Sequence, residues 1–264
     1  MTTPGQGHAP FATSLPGLTA PTPEQRQEAR QRPAGLGAGR QRWNHLFFAH
    51  WPVEPSLVQA TLPPGLQVDT FDGRAYVGIV PFAMERVRPT GLPALPWISW
   101  FLELNVRTYV HDAAGRPGVW FYSLDCNQPV AVEIARRWFH LPYQHARMAA
   151  DFADPYIEYG CERRQADSLQ AHYTWRPGRD GREAEPGSLE FFLVERYRLF
   201  VADRRGRLHA GRVHHAPYRI HEPTVTECST EPARLAGFDL NGPPTSVLTA
   251  DAVDVTIFPL QPCA

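Results

Sequence analysis

The segment from Leu102 to Val110 has a residue order that could place reactive groups inside a protein. Glu103, Asn105, Arg107 and Tyr109 recur at a spacing of two, and Leu104, Val106, Thr108 and Val110 fill the positions between them. That is the period of a β-strand with one polar and one apolar face. The neighbouring segments are rich in aromatic residues, so one face of such a sheet must be enclosed. If the polar face points inward, Glu103 and Arg107 must pair or bind a ligand, because an isolated buried charge is costly. Arg107 would then hold a carboxylate through two parallel N–H donors, with Asn105 and Tyr109 beside it as further ligand contacts. Glu103 would serve as an acid or base with a raised pKa. The same pattern also fits an internal structural salt bridge or a polar face turned to solvent.

Other residue types narrow the chemistry by what they leave out. All 26 basic residues are arginines, and the sequence contains no lysine. A guanidinium stays protonated and cannot form an imine, so Schiff-base catalysis, pyridoxal phosphate anchoring and a phosphate-loop lysine are excluded. His45 and His50 lie five apart on an expected strand and fall on opposite faces, and the adjacent His214 and His215 diverge. Neither pair makes a ready metal site, and no metal or cofactor is expected. Ser123 and Asp125 share a strand face, but no Gly-x-Ser-x-Gly elbow accompanies them. Cys126 reads as a core thiol, and Cys126, Cys161, Cys228 and Cys263 are spaced too widely for a zinc motif, which fits a reducing cytoplasm. No Gly-x-Gly-x-x-Gly follows a strand and opens a helix.

The elements that must position these groups are short. Residues 1–42 are rich in Pro, Gly, Gln and Arg and read as a disordered arm, with a helix admissible from Thr22 to Gln31 but lacking an apolar face to dock. Residues 43–264 read as a single domain that opens on the aromatic strand Trp43 to Trp51. Pro55 starts a brief helix, and Asp72-Gly73 marks a hairpin between Val68–Phe71 and Ala75–Phe82. Val119 to Asp125 is another aromatic strand. Val130 to Phe139 reads as a helix with Val130, Ile134 and Trp138 on one apolar stripe and Asn127 as its cap. Strands follow at Tyr156–Arg163, Leu169–Trp175, Tyr197–Ala202, Arg207–His214 and Ala252–Phe258, with a helix capped by Ser188. Ten or so strands with two or three short helices predict a mainly β protein, its antiparallel sheet closed into a barrel or sandwich. A formal charge of −1 makes nucleic acid a poor partner, and no apolar run is long enough to span a membrane.

Taken together, Phe48-Ala49-His50-Trp51-Pro52-Val53, Leu62-Pro63-Pro64-Gly65-Leu66, the strand Ala75 to Phe82 and the strand Glu103 to Val110 resemble the YqjF-like bacterial family. The likeness continues through Gly118 to Asp125, Leu141-Pro142-Tyr143, Ser188 to Tyr197 and His214-His215-Ala216-Pro217. The resemblance implies a fold similar to acetoacetate decarboxylase: a closed, cone-like antiparallel barrel with an internal cavity. In the decarboxylase relatives a lysine follows a Phe-Pro pair and forms the imine. Here Leu141-Pro142 resembles that pair, and Tyr143 stands where the lysine would be. Its neutral phenol could polarise a carbonyl or donate a proton without forming an imine, with His145 two residues on as a further ligand contact. Packing after a proline at a helix end explains the tyrosine equally well.

Three functions fit this reading. The barrel binds a small hydrophobic carbonyl or carboxylate compound; or it is a lysine-independent enzyme on a similar ligand, a hydratase, isomerase or non-imine decarboxylase, using Glu103 or Tyr143; or it is a non-catalytic interaction protein with a filled interior. A homo-oligomer is compatible with each. Convergence of Glu103, Arg107 and Tyr143 on a cavity of at least ~300 Å³ would favour the first two.

Overall fold

The computed structural model describes residues 20–164 and 170–263. Helix α1 (Pro23–Glu28) precedes strands β1 (Gly39–Asn44) and β2 (Leu46–Val53). After helix α2 (Pro55–Gln59) come β3 (Leu66–Val68), β4 (Ala75–Pro89), β5 (Phe101–Asp112) and β6 (Pro117–Cys126). Helix α3 (Pro129–Trp138) leads into β7 (Tyr143–Asp151), β8 (Ile157–Arg163) and β9 (Gln170–Arg176). The chain continues through β10 (Arg182–Glu183), α4 (Leu189–Val194), β11 (Arg198–Ala202), β12 (Leu208–His214), β13 (Arg219–His221) and β14 (Thr224–Cys228). Helix α5 (Glu231–Leu235) then precedes β15 (Ser246–Ala250), β16 (Val253–Ile257) and β17 (Gln261–Pro262).

The pairings form a circuit. From β4 they pass to β5, β6, β11, β12, β16 and β1, and β1 pairs with β4 again. Every step is antiparallel except β6 to β11. A second group, β7, β8, β9 and β14, is antiparallel and joins the circuit through a parallel pairing of β7 with β6. Two main apolar clusters follow from this layout. One contains Phe48, Phe82, Tyr109 and Phe192; the other packs Phe47, Ile79, Leu104 and Val106 against Tyr159, Tyr173 and Trp175 of the second group. Because β5 contributes to both clusters, both of its faces are buried, and the polar alternation of residues 103 to 109 turns inward rather than toward solvent.

Several sequence expectations change here. The arm expected over 1–42 gives way to defined structure before residue 42, although residues 1–19 lie outside the described residues. Helix α1 is closed by a capping box between Thr22 and Gln25, and the folded body begins with β1 at Gly39 rather than at Trp43. α1 buries no residue, as its composition predicts, but it docks by charge. Arg26 donates from both terminal nitrogens to Asp69 at 2.6 Å each, and the Arg26 and Arg30 guanidiniums lie 5.1 and 5.6 Å from the Phe192 and Phe191 rings.

The expected single strand from Trp43 to Trp51 is broken at His45, whose φ of 50° turns the backbone between β1 and β2. The Asp72-Gly73 turn forms, with φ of 48° and 75°, yet its hairpin ends at the Phe71–Arg74 bridge. β3 pairs with β5 instead of β4.

Helix α3 matches its expected span and is capped by Gln128, whose side chain accepts from Val130 N, rather than by Asn127. Its stripe is reversed: Val130, Ile134 and Trp138 are exposed, while Val132 and Ala135 are buried. The smaller residues let the helix backbone sit close to β6 and β7, where Arg136 Nε donates to Tyr143 O at 2.7 Å. Five helices stand among the described residues where two or three were expected; α5 lacks the periodic apolar pattern that would announce it.

Candidate functional site

Each of the seven strands of the circuit sends a side chain to one cavity of about 190 Å³. Trp43 comes from β1, Phe82 from β4, Glu103 and Arg107 from β5, Phe121 from β6, Arg198 from β11, Val213 from β12 and Ile257 from β16. Arg196, in the link between α4 and β11, and Tyr218 add polar groups to an otherwise apolar and aromatic lining. Glu103 and Arg107 converge here, but Tyr143 does not line the space and the volume falls short of the ~300 Å³ expected of a ligand site, so the expected convergence is met only in part and the cavity suits a small occupant.

Glu103 is 3% exposed. Its Oε2 accepts from the Tyr143 hydroxyl at 2.5 Å, and its own carbonyl accepts from the Tyr159 hydroxyl at 2.8 Å, so β7 and β8 fix both its head and its backbone. Burial dominates its acidity and raises the carboxyl pKa from 4.5 to about 7, against the opposing pull of Tyr143 and the neighbouring Asn105 amide. Glu103 is therefore divided between acid and carboxylate near neutral pH. Burial and the Glu103 carboxyl beside it push the Tyr143 phenol well above its ordinary value, which keeps it a donor.

Arg107 does not pair with Glu103. Its Nη2 donates to Leu193 O at 3.1 Å and its Nε to the Tyr109 hydroxyl at 3.3 Å, while Phe48 and Tyr109 present ring faces at 5.4 and 5.6 Å. The Tyr109 hydroxyl lies 2.7 Å from His50 Nε2. Since Arg107 can only donate, the Tyr109 hydroxyl accepts from it and shares its remaining hydrogen-bonding capacity with His50 Nε2. Burial, then the Arg107 charge, depress the His50 pKa well below its ordinary value. The Nδ1 atom is buried without a partner. The relay holds Arg107 at the cavity wall with no carboxylate on it among the described residues.

Arg196 occupies the same wall under a different constraint. Its Nη1 donates to Asp69 at 2.8 Å and its Nε to Phe192 O at 2.7 Å, but its buried Nη2 has no partner. Asp69 thus bridges Arg196 and Arg26, and these two cations outweigh burial to hold its carboxyl below the usual range.

The residues singled out from sequence separate into three groups. Glu103 and Arg107 line the cavity, and Tyr143 is connected to it through its bond to Glu103. Asn105, 4% exposed, shares their strand face with an unpartnered Oδ1, and Tyr109 positions Arg107 from behind. His145 is not brought to this group: it does not line the cavity and stands 3.5 Å from Glu133 of α3. Cys126 is buried and its thiol pushed up to about 12 by that burial, as expected of a core cysteine. Arg196, His50 and Asp69 were not anticipated; no local spacing connects residues 50, 69, 107 and 196, and only the tertiary circuit does. Among the described residues no group of His, Cys, Asp and Glu side chains clusters as metal ligands would, and no helix is long and apolar enough to cross a membrane.

Comparison with known proteins places this geometry. The solved acetoacetate decarboxylase of Legionella pneumophila is similar over 95% of this chain and 98% of its own, with a TM-score of 0.59 at 13% identity. An acetoacetate decarboxylase-like enzyme from Sphingomonas wittichii RW1 matches 86% of this chain and 93% of its own, with a TM-score of 0.60 at 14% identity. The enduracididine biosynthesis enzyme MppR, complexed with pyruvate, matches 87% and 91%, with a TM-score of 0.59 at 13% identity. At such identities the likeness shows the fold alone. In sequence, the chain is 39% identical over 188 residues to the uncharacterized protein YqjF of Bacillus subtilis (strain 168), covering 71% of this chain and 77% of that one. With residues 40–254 also matching the family described as an uncharacterized conserved protein, DUF2071, the chain belongs to that YqjF-containing family on an acetoacetate decarboxylase-like fold.

Proposed function

We propose that the chain binds a small carbonyl or carboxylate compound inside a closed, cone-like barrel whose wall is the seven-strand circuit. The observation that carries this reading is Arg107, a 9% exposed cation on the cavity wall without an acidic partner among the described residues. An anionic ligand would supply the missing charge, and the free Nη2 of Arg196 would add a second donor. MppR, of the same fold, is complexed with pyruvate, which supports a small keto acid as the ligand class. The open cavity counts against an interior filled by the protein's own side chains. Four free thiols fit a reducing cytoplasm.

A catalytic reading is favoured by Glu103. A carboxyl titrating near 7 can give a proton to a ligand carbonyl or remove one from the adjacent carbon and return it, with Tyr143 holding its position. Without a lysine side chain to form an imine, the cycle is proton transfer, of the kind used in hydration, isomerisation or non-imine decarboxylation.

Calorimetric titration with pyruvate and longer 2-keto acids, together with native mass spectrometry of the purified chain, tests the binding. Arg107→Gln should weaken the acid that binds roughly 10- to 100-fold, the range for losing a charged hydrogen bond. Equal affinity in the variant, or no small acid retained or bound by the parent, would overturn the reading. Turnover of the same acids then separates enzyme from binder, with Glu103→Gln abolishing turnover but retaining binding.

A further inference from the structure

A second basic site lies outside the cavity. Helix α1 and the residues after it run along the strands β6, β11 and β12, leaving a cleft of about 360 Å³. Arg32, Arg116, Arg198 and Arg212 line it, and Glu28 is the one acidic residue in its lining. Arg198 and Arg212 face each other directly across the β11–β12 ladder, an arrangement that like charges ordinarily avoid. Arg212 Nη2 donates to Ala29 O and Gln31 O at 3.0 Å each, while its Nε is buried without a partner. Arg116 is occupied by Asp112 at 2.6 Å. Arg198 has no such partner among the described residues; burial, then the Arg212 and Arg116 charges, lower its pKa to about 10.

We propose that this cleft binds a phosphoryl-type dianion between Arg198 and Arg212. Two opposed guanidiniums cost stability when the cleft is empty, and one doubly charged oxyanion accepts from both and neutralises both charges, whereas a carboxylate monoanion would leave one of them uncompensated. Arg198 also lines the inner cavity, so the dianion is either free phosphate or the outer end of an ester whose body enters the barrel. The site shares Arg198 with the cavity, while Glu103 and Arg107 take no part in it.

The test uses the full chain titrated with inorganic phosphate and phenyl phosphate against acetate, at matched ionic strength, by calorimetry and thermal unfolding. Phosphate should bind and raise the unfolding temperature where acetate does not. Arg198→Gln should weaken phosphate at least about tenfold while unfolding no earlier than the parent without phosphate, since it removes the like-charge opposition. Arg198→Lys should retain part of the response, and the distant Arg147→Gln all of it. Tighter binding of phenyl phosphate than phosphate assigns the dianion to a larger ligand, and equal binding to the free ion. A phosphate effect no larger than that of acetate, or an Arg198→Gln protein that responds like the parent, overturns the proposal. Loss of keto acid binding in Arg107→Gln with phosphate binding intact separates the two sites.

Discussion

Glu103→Gln should raise the unfolding free energy at pH 8 by roughly 3 kcal/mol and remove part of the pH dependence of stability. The folded carboxyl titrates at about 7 and the unfolded one near 4.5, and each pH unit is worth about 1.4 kcal/mol. Because the folded value is the higher, the native state holds a proton that the unfolded chain has released across this window. Stability from this group is therefore fully present below about 4.5 and declines as pH rises to about 7. Glutamine mimics the protonated acid, and its amide oxygen can still accept from Tyr143. Urea unfolding at pH 5 and pH 8 reads the difference: parent and variant should diverge with rising pH. Parallel curves would show that Glu103 is not the buried acid described.

Asp69→Ala should cost about 3 to 5 kcal/mol, the range for removing one partner of a buried ion pair. The carboxylate is 1% exposed and binds Arg26 and Arg196 together, so its loss leaves two cations, one of them 3% exposed, with no anion between them. Arg26→Gln should cost less, because that side chain is 19% exposed and water can replace it. Asp69→Ala should also free α1, so limited proteolysis between residues 23 and 38 would accelerate alongside a lowered urea midpoint. A loss below about 1 kcal/mol with unchanged proteolysis would mean that the pair is energetically neutral.

The strand content was legible because period-two alternation is local. Residues 102 to 110 announce β5, and their polar face announces the side on which Glu103 and Arg107 stand. Which partner each would take was not legible. Glu103 and Arg107 lie four apart on one strand and read as a pair, yet the first bonds Tyr143 and the second Tyr109 and Leu193 O. Those choices depend on β7 and α4, elements brought in by a parallel pairing and a distant loop. Strand β7 itself has only Tyr143, Ala146 and Met148 buried, too irregular a pattern to read in advance. Helix α3 shows the opposite failure: its apolar stripe was visible, but apolar periodicity does not say which face a sheet will accept, and Val130, Ile134 and Trp138 face outward. α1 offered no apolar signal because its attachment is ionic.

The circuit whose strands line the cavity is completed by β16, residues 253 to 257, inserted between β1 near residue 40 and β12. No wall exists until these sequence-distant strands meet, so loop-closure entropy is spent before the enclosure yields any return, and folding should be slow for the chain's size. During synthesis the aromatic lining of β1, β4 and β6 emerges long before its last neighbour. If the proposed anion binds there, it recognises only the finished protein, and its binding would then add to the stability of the folded chain.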